Sequence, residues 1–276
     1  MSSEEDMNPT DLHIEAIRRT RTAESVVLPR DVFEKLYLNP KGPGKYELGK
    51  KFGNPTPIAL IGFVIASTPF ACTLMGWRGA GGHGGALLTV FIFFGGLVQL
   101  LGAIGEWLIG NTFACAIFFT YGTFWIVQGT SLQPFFGTGT AYSPTGNTLE
   151  GQTTSAYYAT LGFYYVSLTM VSFVFVLCSL RSNICLFTAL VMLVAAFGCV
   201  SGSYFQLALG NSEFGHHLQF SGGALVFALV LIVWYIMIAQ ILDSVDFPIS
   251  LPVGDLSTVV PGRSERIRRK NGGEEE

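Results

Sequence analysis

The chain has 276 residues, of which 50% are hydrophobic and only 13% charged, where a soluble domain carries about a quarter. That composition excludes an ordinary soluble domain and points to a membrane protein. The formal net charge of -3 averages over very unlike regions and identifies no partner, and no nucleic-acid partner is expected.

Residues 1–53 are polar and mixed in charge, without the apolar stretch of a signal peptide, so the first membrane helix is expected to act as the insertion signal. A mostly disordered cytoplasmic tail is expected there, with a short helix over 12–19. Thr20, Thr22 and Ser25 lie beside the basic cluster of Arg18, Arg19 and Arg21.

Six apolar runs follow, at 57–77, 86–108, 112–129, 156–180, 183–204 and 218–242, each near the roughly 20 residues a membrane helix needs. The fold class is therefore an all-α membrane protein, a bundle of six transmembrane helices over 54–242, with a second cytoplasmic tail at 243–276. Between Asn54 and Leu242 the formal charges are Arg78, Glu106, Glu150, Arg181 and Glu213, each near the end of a run or between runs. Only Arg181 and Ser182 separate the fourth and fifth runs, which requires a tight helical hairpin. The connection over 130–155, rich in Gly, Thr and Ser, reads as a surface cap, either ordered or mobile.

Lys41, Lys45, Lys50, Lys51, Arg181 and the basic part of RSERIRRKNGGEEE fall on one side when six spans are threaded. Both termini are then cytoplasmic by the positive-inside rule. The last segment is either a solvated tail or a contact for anionic lipid. Glycines recur at Gly95, Gly96, Gly102, Gly105, Gly198, Gly202, Gly222 and Gly223, where small residues either let helices approach or leave room for a pore.

Nucleophile, metal and nucleotide motifs are missing, so no catalytic residue, metal site or cofactor is expected and the chain does not read as an enzyme. Cys72, Cys115, Cys178, Cys185 and Cys199 lie in or beside apolar runs and read as small buried hydrophobes. The candidates for chemistry are polar groups within apolar helices. In Asn54-Pro55-Thr56-Pro57, Asn54 is a good cap and Pro55 suits the first helical position. The same helix start either only fixes the chain or also holds a carboxylate. Gln99 and Glu106 lie seven apart on one helical face, and Glu106 is either a headgroup-level anchor beside Trp107 or a proton-exchanging carboxyl. Asn111 and Thr112 restart the third run as a cap, and Tyr121 and Trp125 share a face. His216 and His217 follow Glu213 in a connection and read as hydrogen-bonded surface groups.

Asn54-Pro55-Thr56-Pro57-Ile58-Ala59-Leu60 followed by Gly62-Phe63 resembles the N-P-A-P-L-G-L signature of the acetate uptake transporter family, which has bacterial and fungal members. The stretch FFGGLVQLLGAIGEWLIGNTFACAIFFTYGTFW is similar to that family's second and third helices, and the Leu180-Arg181-Ser182-Asn183 turn and AFGCVSGSY to its fungal branch. Thr56, Ile58 and Ala59 depart from the commoner Ala, Leu and Gly. The resemblance implies a plasma-membrane protein forming a hexameric ring, with an axial pathway in each six-helix protomer. It implies acetate and related short carboxylates, succinate among them, as substrates, and proton coupling. It also implies a hydrophobic constriction, which transfers to Phe63, Tyr121 and Leu193, with Leu190 as the alternative register. Two readings remain beside acetate transport: ammonia or ammonium export, and an acetate-responsive sensor.

Overall fold

In the computed structural model, six helices are long and apolar enough to cross a membrane: α1 (Thr56–Leu74), α2 (Gly82–Leu108), α3 (Thr112–Ser131), α4 (Ser155–Ser179), α5 (Ile184–Ala208) and α6 (Ser212–Ser244). Residues 52–256 are described, together with the backbone pairing of Arg21–Thr22 with Ser25–Val26. The helix expected over 12–19 and the basic end of the carboxyl-terminal tail lie outside the described residues. The chain divides into two units, Met1–Gly53 and Asn54–Glu276, and all six membrane helices belong to the second.

Five helices begin or end within a few residues of the expected runs, but α6 starts six residues early. Glu213, His216 and His217 are therefore in its first turns, not in a connection, because hydropathy marks only the apolar part of a helix that starts in a polar environment. The cysteines also differ from expectation: Cys178 is exposed and the other four are only half-buried. Thiols on helices that face lipid are apolar enough to need no burial in protein. The outer surface carries large exposed apolar side chains such as Phe93, Leu101, Phe163 and Met170, as a lipid-facing wall requires.

Successive helices run in opposite directions. One end of the bundle, here called proximal, holds the start of α1, the α2–α3 and α4–α5 turns and the end of α6; the distal end holds the other connections. Within the bundle α2 packs between α1 and α3, α5 between α4 and α6, and α6 closes against α1. Trp234 Nε1 donates to Thr68 Oγ1 at 3.1 Å across that last contact. The α2–α3 contact depends on Gly95: a Cβ there would lie 2.4 Å from Cγ of Trp125. Gly95→Ala is expected to destabilise the protein by about 1–3 kcal/mol through overpacking, whereas Gly198, which has nothing within 4 Å of its would-be Cβ, should accept alanine. Thermal midpoints of the detergent-solubilised variants check this, and equal midpoints would remove the close-contact account.

The middle of α2, Phe91–Val98, is wound as a π-helix. A wider turn changes the direction of every side chain after it, and the first residue after it is Gln99. Hydropathy gives no sign of this segment, because winding depends on how FIFFGGLV packs against α1 and α3.

Two turns of the same construction sit one hundred positions apart. Asn111 donates its backbone N–H to the Glu106 carbonyl at 2.8 Å and its side-chain amide to Glu106 Oε2 at 2.7 Å. Asn211 donates to the Gln206 carbonyl and to Gln206 Oε1, both at 2.9 Å. Each asparagine follows a left-handed glycine, Gly110 at φ 76 and Gly210 at φ 82. The same offset relates Gly62-Phe63 to Gly162-Phe163, Gly102 to Gly202 and Gly122 to Gly222. The chain is thus built as two three-helix units, α1–α3 and α4–α6. Since three spans reverse direction, Glu106 lies at the proximal end and Gln206 at the distal end.

Both ends are finished by ordered segments. Distally, the connection after α3 folds back: Gln152 Nε2 donates to the Ser131 carbonyl and to Thr138 Oγ1, both at 3.1 Å. Hydroxyls of Ser143 and Thr145 donate to the Glu150 carboxylate and hold it below the usual carboxylate range. Proximally, the chain after α6 returns to the α4–α5 turn, where Ile184 N–H meets the Gly254 carbonyl at 2.8 Å and Leu256 N–H meets that of Ser182 at 2.9 Å.

Candidate functional site

At the proximal end, Pro55 and Pro57 are buried while Asn54 is exposed. Asn54 Oδ1 accepts from Thr56 N–H at 3.1 Å, which satisfies one of the donors a helix start leaves free. Pro55 already has helical dihedrals, and its carbonyl receives Ile58 N–H at 3.1 Å. A carboxylate is held at this helix start, and it is the protein's own. Thr56 Oγ1 donates to Glu106 Oε1, and Asn111 Nδ2 takes the other oxygen. Glu106 is 0% exposed, so it is no headgroup-level anchor; Trp107 beside it, 67% exposed, points outward instead.

Asn111 occupies the cap position of α3, yet its side chain makes no capping bond because it turns back to Glu106. Thr112 is exposed. The clasp is tightened by small residues on α2: a Cβ on Gly102 would lie 2.6 Å from that of Ala59, and one on Gly105 would lie 2.5 Å from that of Pro55. The departures at Thr56 and Ala59 therefore both face α2, one through a hydroxyl and one through a methyl.

One helical turn or more toward the centre, Phe63, Tyr121 and Leu193 line one small cavity of about 50 Å³, together with Leu60 and Leu190. Its amide-bearing member is Gln99, 1% exposed, whose Oε1 has no partner among the described residues. Tyr121 is fixed in place, its hydroxyl 2.9 Å from Ser172 Oγ, and its ring lies against Phe175 and Phe197. An unpaired amide oxygen in an apolar cavity is costly, and such a group is available to a polar molecule that enters. The seven-residue spacing of Gln99 and Glu106 does put both in the interior, but at different places: Gln99 faces the cavity and Glu106 the clasp.

Trp125 lines none of the three central cavities. It packs in an aromatic group with Phe70, Phe91 and Phe124, centroids 5.0–5.4 Å away, so its shared face with Tyr121 separates one packing ring from one cavity ring. Beyond Phe124 and Phe197, whose centroids are 5.6 Å apart, a second cavity of about 60 Å³ opens toward the distal end, and a third of about 350 Å³ lies under the α3–α4 connection. The three follow one another along α3 and α5. Ser172, Phe175 and Phe197 help to shape this series without having stood out in the sequence, since a serine or phenylalanine in an apolar helix carries no distinguishing pattern. Among the described residues no cluster of His, Cys, Asp or Glu is placed to hold a metal ion.

The family described as GPR1/FUN34/yaaH matches residues 37–258. Protein alcS of Aspergillus fumigatus is 39% identical over 86% of this chain and 88% of its own length. Acetate permease A of Emericella nidulans is 28% identical over 81% of this chain and 74% of its own. Among solved structures, that of the bacterial acetate channel SatP matches 74% of this chain and 99% of its own with a TM-score of 0.59 and 22% identity, a likeness of fold.

Proposed function

The chain belongs to the GPR1/FUN34/yaaH family, and from that membership we propose that it moves acetate and other short monocarboxylates across the plasma membrane, with a coupled proton and with succinate as a larger substrate. Its relatives are a permease and a channel by name, and not enzymes. The observation that carries this reading is the small apolar cavity of Phe63, Tyr121 and Leu193 with the unpartnered amide oxygen of Gln99. An apolar constriction dewets and so opposes hydrated ions, whereas an acid with one methyl group passes if a polar group receives it. Gln99 is that group. Because a carboxylate loses its charge on protonation, uptake rises as the external side is acidified.

In this reading both termini face the cytoplasm, and six protomers form a ring with one pathway each. The exposed apolar faces of α2 and α4 serve neighbouring protomers and lipid alike.

Labelled acetate flux into proteoliposomes, run with ammonium and propionate as competitors, tests the assignment. Saturable acetate uptake is expected, with ammonium not competing. Gln99→Leu should lower it about tenfold or more, the loss of one desolvated polar contact, while folded yield is kept because Oε1 gives up no intramolecular bond. Folded wild-type protein that carries no acetate would support a sensor, and carriage of ammonium alone would support export.

A further inference from the structure

The first turn of α2 contains a polar residue in an unusual conformation. In Gly82-His83-Gly84 all three residues are left-handed, with φ of 62, 52 and 79. Two are glycines, for which this costs little, but His83 is not, and a side chain held in that region reflects strain that the surroundings must impose. Gly84 is buried on the Phe91 ring, where a Cβ would lie 3.0 Å from Cζ, and so ties the turn down next to the histidine.

His83 lines both distal cavities, and so do Gln128, Tyr158, Tyr165 and Tyr204. The Tyr165 hydroxyl donates to Gln128 Oε1 at 3.3 Å, and the Tyr165 and Tyr204 rings stack at 5.3 Å. These five residues therefore stand between the outer cavity and the one leading to the constriction. The charges around them are simple. Gln128 faces the cavities from α3, Tyr157, Tyr158, Tyr164 and Tyr165 from α4, Tyr204 from α5 and Gln219 from α6; Arg78, Glu150, Glu213, His216 and His217 line neither cavity. Among the described residues lining them, His83 is thus the one side chain able to carry a positive charge, and its neighbours are hydroxyls and amides able to share a carboxylate's lone pairs.

We propose that His83, with Gln128, Tyr158, Tyr165 and Tyr204, forms an outer binding site that captures a small carboxylate before the constriction when the imidazole is protonated. This rests on the carboxylate reading of the pathway. It adds a charged receiving site at the distal end, separate from Gln99, and a reason for acid to act on substrate affinity as well as on the driving force.

The test is equilibrium exchange of labelled acetate by the full chain in proteoliposomes, with both sides buffered at about pH 5.5 or about pH 7.5, which bracket imidazole titration. His83→Gly suits the left-handed backbone, so the variant removes the side chain without a folding penalty. It should raise the half-saturating acetate concentration about tenfold at the lower pH, as for one charge-assisted hydrogen bond, with the maximal rate within about twofold and little change at the higher pH. His83→Arg, permanently charged, should keep high affinity at both. Half-saturation by the glycine variant equal to wild type at both values would overturn the site while leaving acetate transport intact. Calorimetric titration of acetate into the purified protein separates the remaining cases. Binding that needs His83, without exchange, keeps the site and rejects transport; no binding at either pH rejects both. A His83 dependence seen only with methylammonium would make it a cation site and overturn the proposal.

Discussion

Glu106→Ala is expected to destabilise the protein by about 2–3 kcal/mol, by leaving a buried void and freeing the donors of Thr56 and Asn111, whereas Glu106→Gln should be nearly neutral. The second three-helix unit shows why. Gln206 holds the same place one hundred positions on, and Asn211 donates to its side-chain oxygen as Asn111 donates to Glu106. A glutamine at 106 would accept from Asn111 in that manner and offer its amide to the Thr56 hydroxyl, which accepts as readily as it donates. The position thus requires an acceptor between two helix starts. Two measurements check this: the thermal midpoint of the purified variants, and acetate flux at two external pH values. Glu106→Gln should retain at least about half the flux and the same acid stimulation, since both contacts of the clasp keep a hydrogen-bonding partner. If it folds but loses the acid response, Glu106 carries the coupled proton and the clasp is only part of its role. Thr56→Ala should cost about 1 kcal/mol and leave the Asn111 bond in place.

The six spans were legible because hydropathy reports lipid contact directly, and the α4–α5 hairpin because two residues leave a chain no other choice. The Asn54-Pro55-Thr56-Pro57 motif was legible as a helix start with two open roles, cap or carboxylate holder. The group the motif meets is Glu106, fifty residues away on another helix, and no local rule relates the two. Gln99 was marked as polar in an apolar run, but its aim into the cavity depends on the π-wound turn before it, a product of packing. Trp125 was misleading for the opposite reason: spacing placed it with Tyr121, while the missing side chain of Gly95 decided where its ring went. The hundred-residue repeat was present in the letters all along. Its hydrogen bonds made it visible, because a few matching positions spread over three helices are weak as a pattern and strong as a geometry.

Phe63→Ala should abolish most of the discrimination between acetate and longer monocarboxylates. The cavity that Phe63 shares with Tyr121 and Leu193 is about 50 Å³, room for only a few water molecules, so each added methylene of an acid must displace a ring or a methyl group. Apolar pockets separate ligands differing by one methylene by at most about 10–200-fold, which sets the scale: the acetate-to-butyrate flux ratio should fall about tenfold or more. Acetate flux itself should change less, because Gln99 remains. Removing the ring also lets water enter, so a small ion leak is expected where none was present. Tyr121 is a poorer probe of size, since its hydroxyl is bound to the fully buried Ser172 and its loss would strand that partner. The leucines serve better. Leu190 and Leu193 both line the cavity, one turn apart on α5, and the reading in which Leu193 closes the ring requires Leu193→Ala to alter the ratio more than Leu190→Ala does. An unchanged ratio in Phe63→Ala would remove this cavity as the filter and shift selection to the aromatic layer of Phe124 and Phe197.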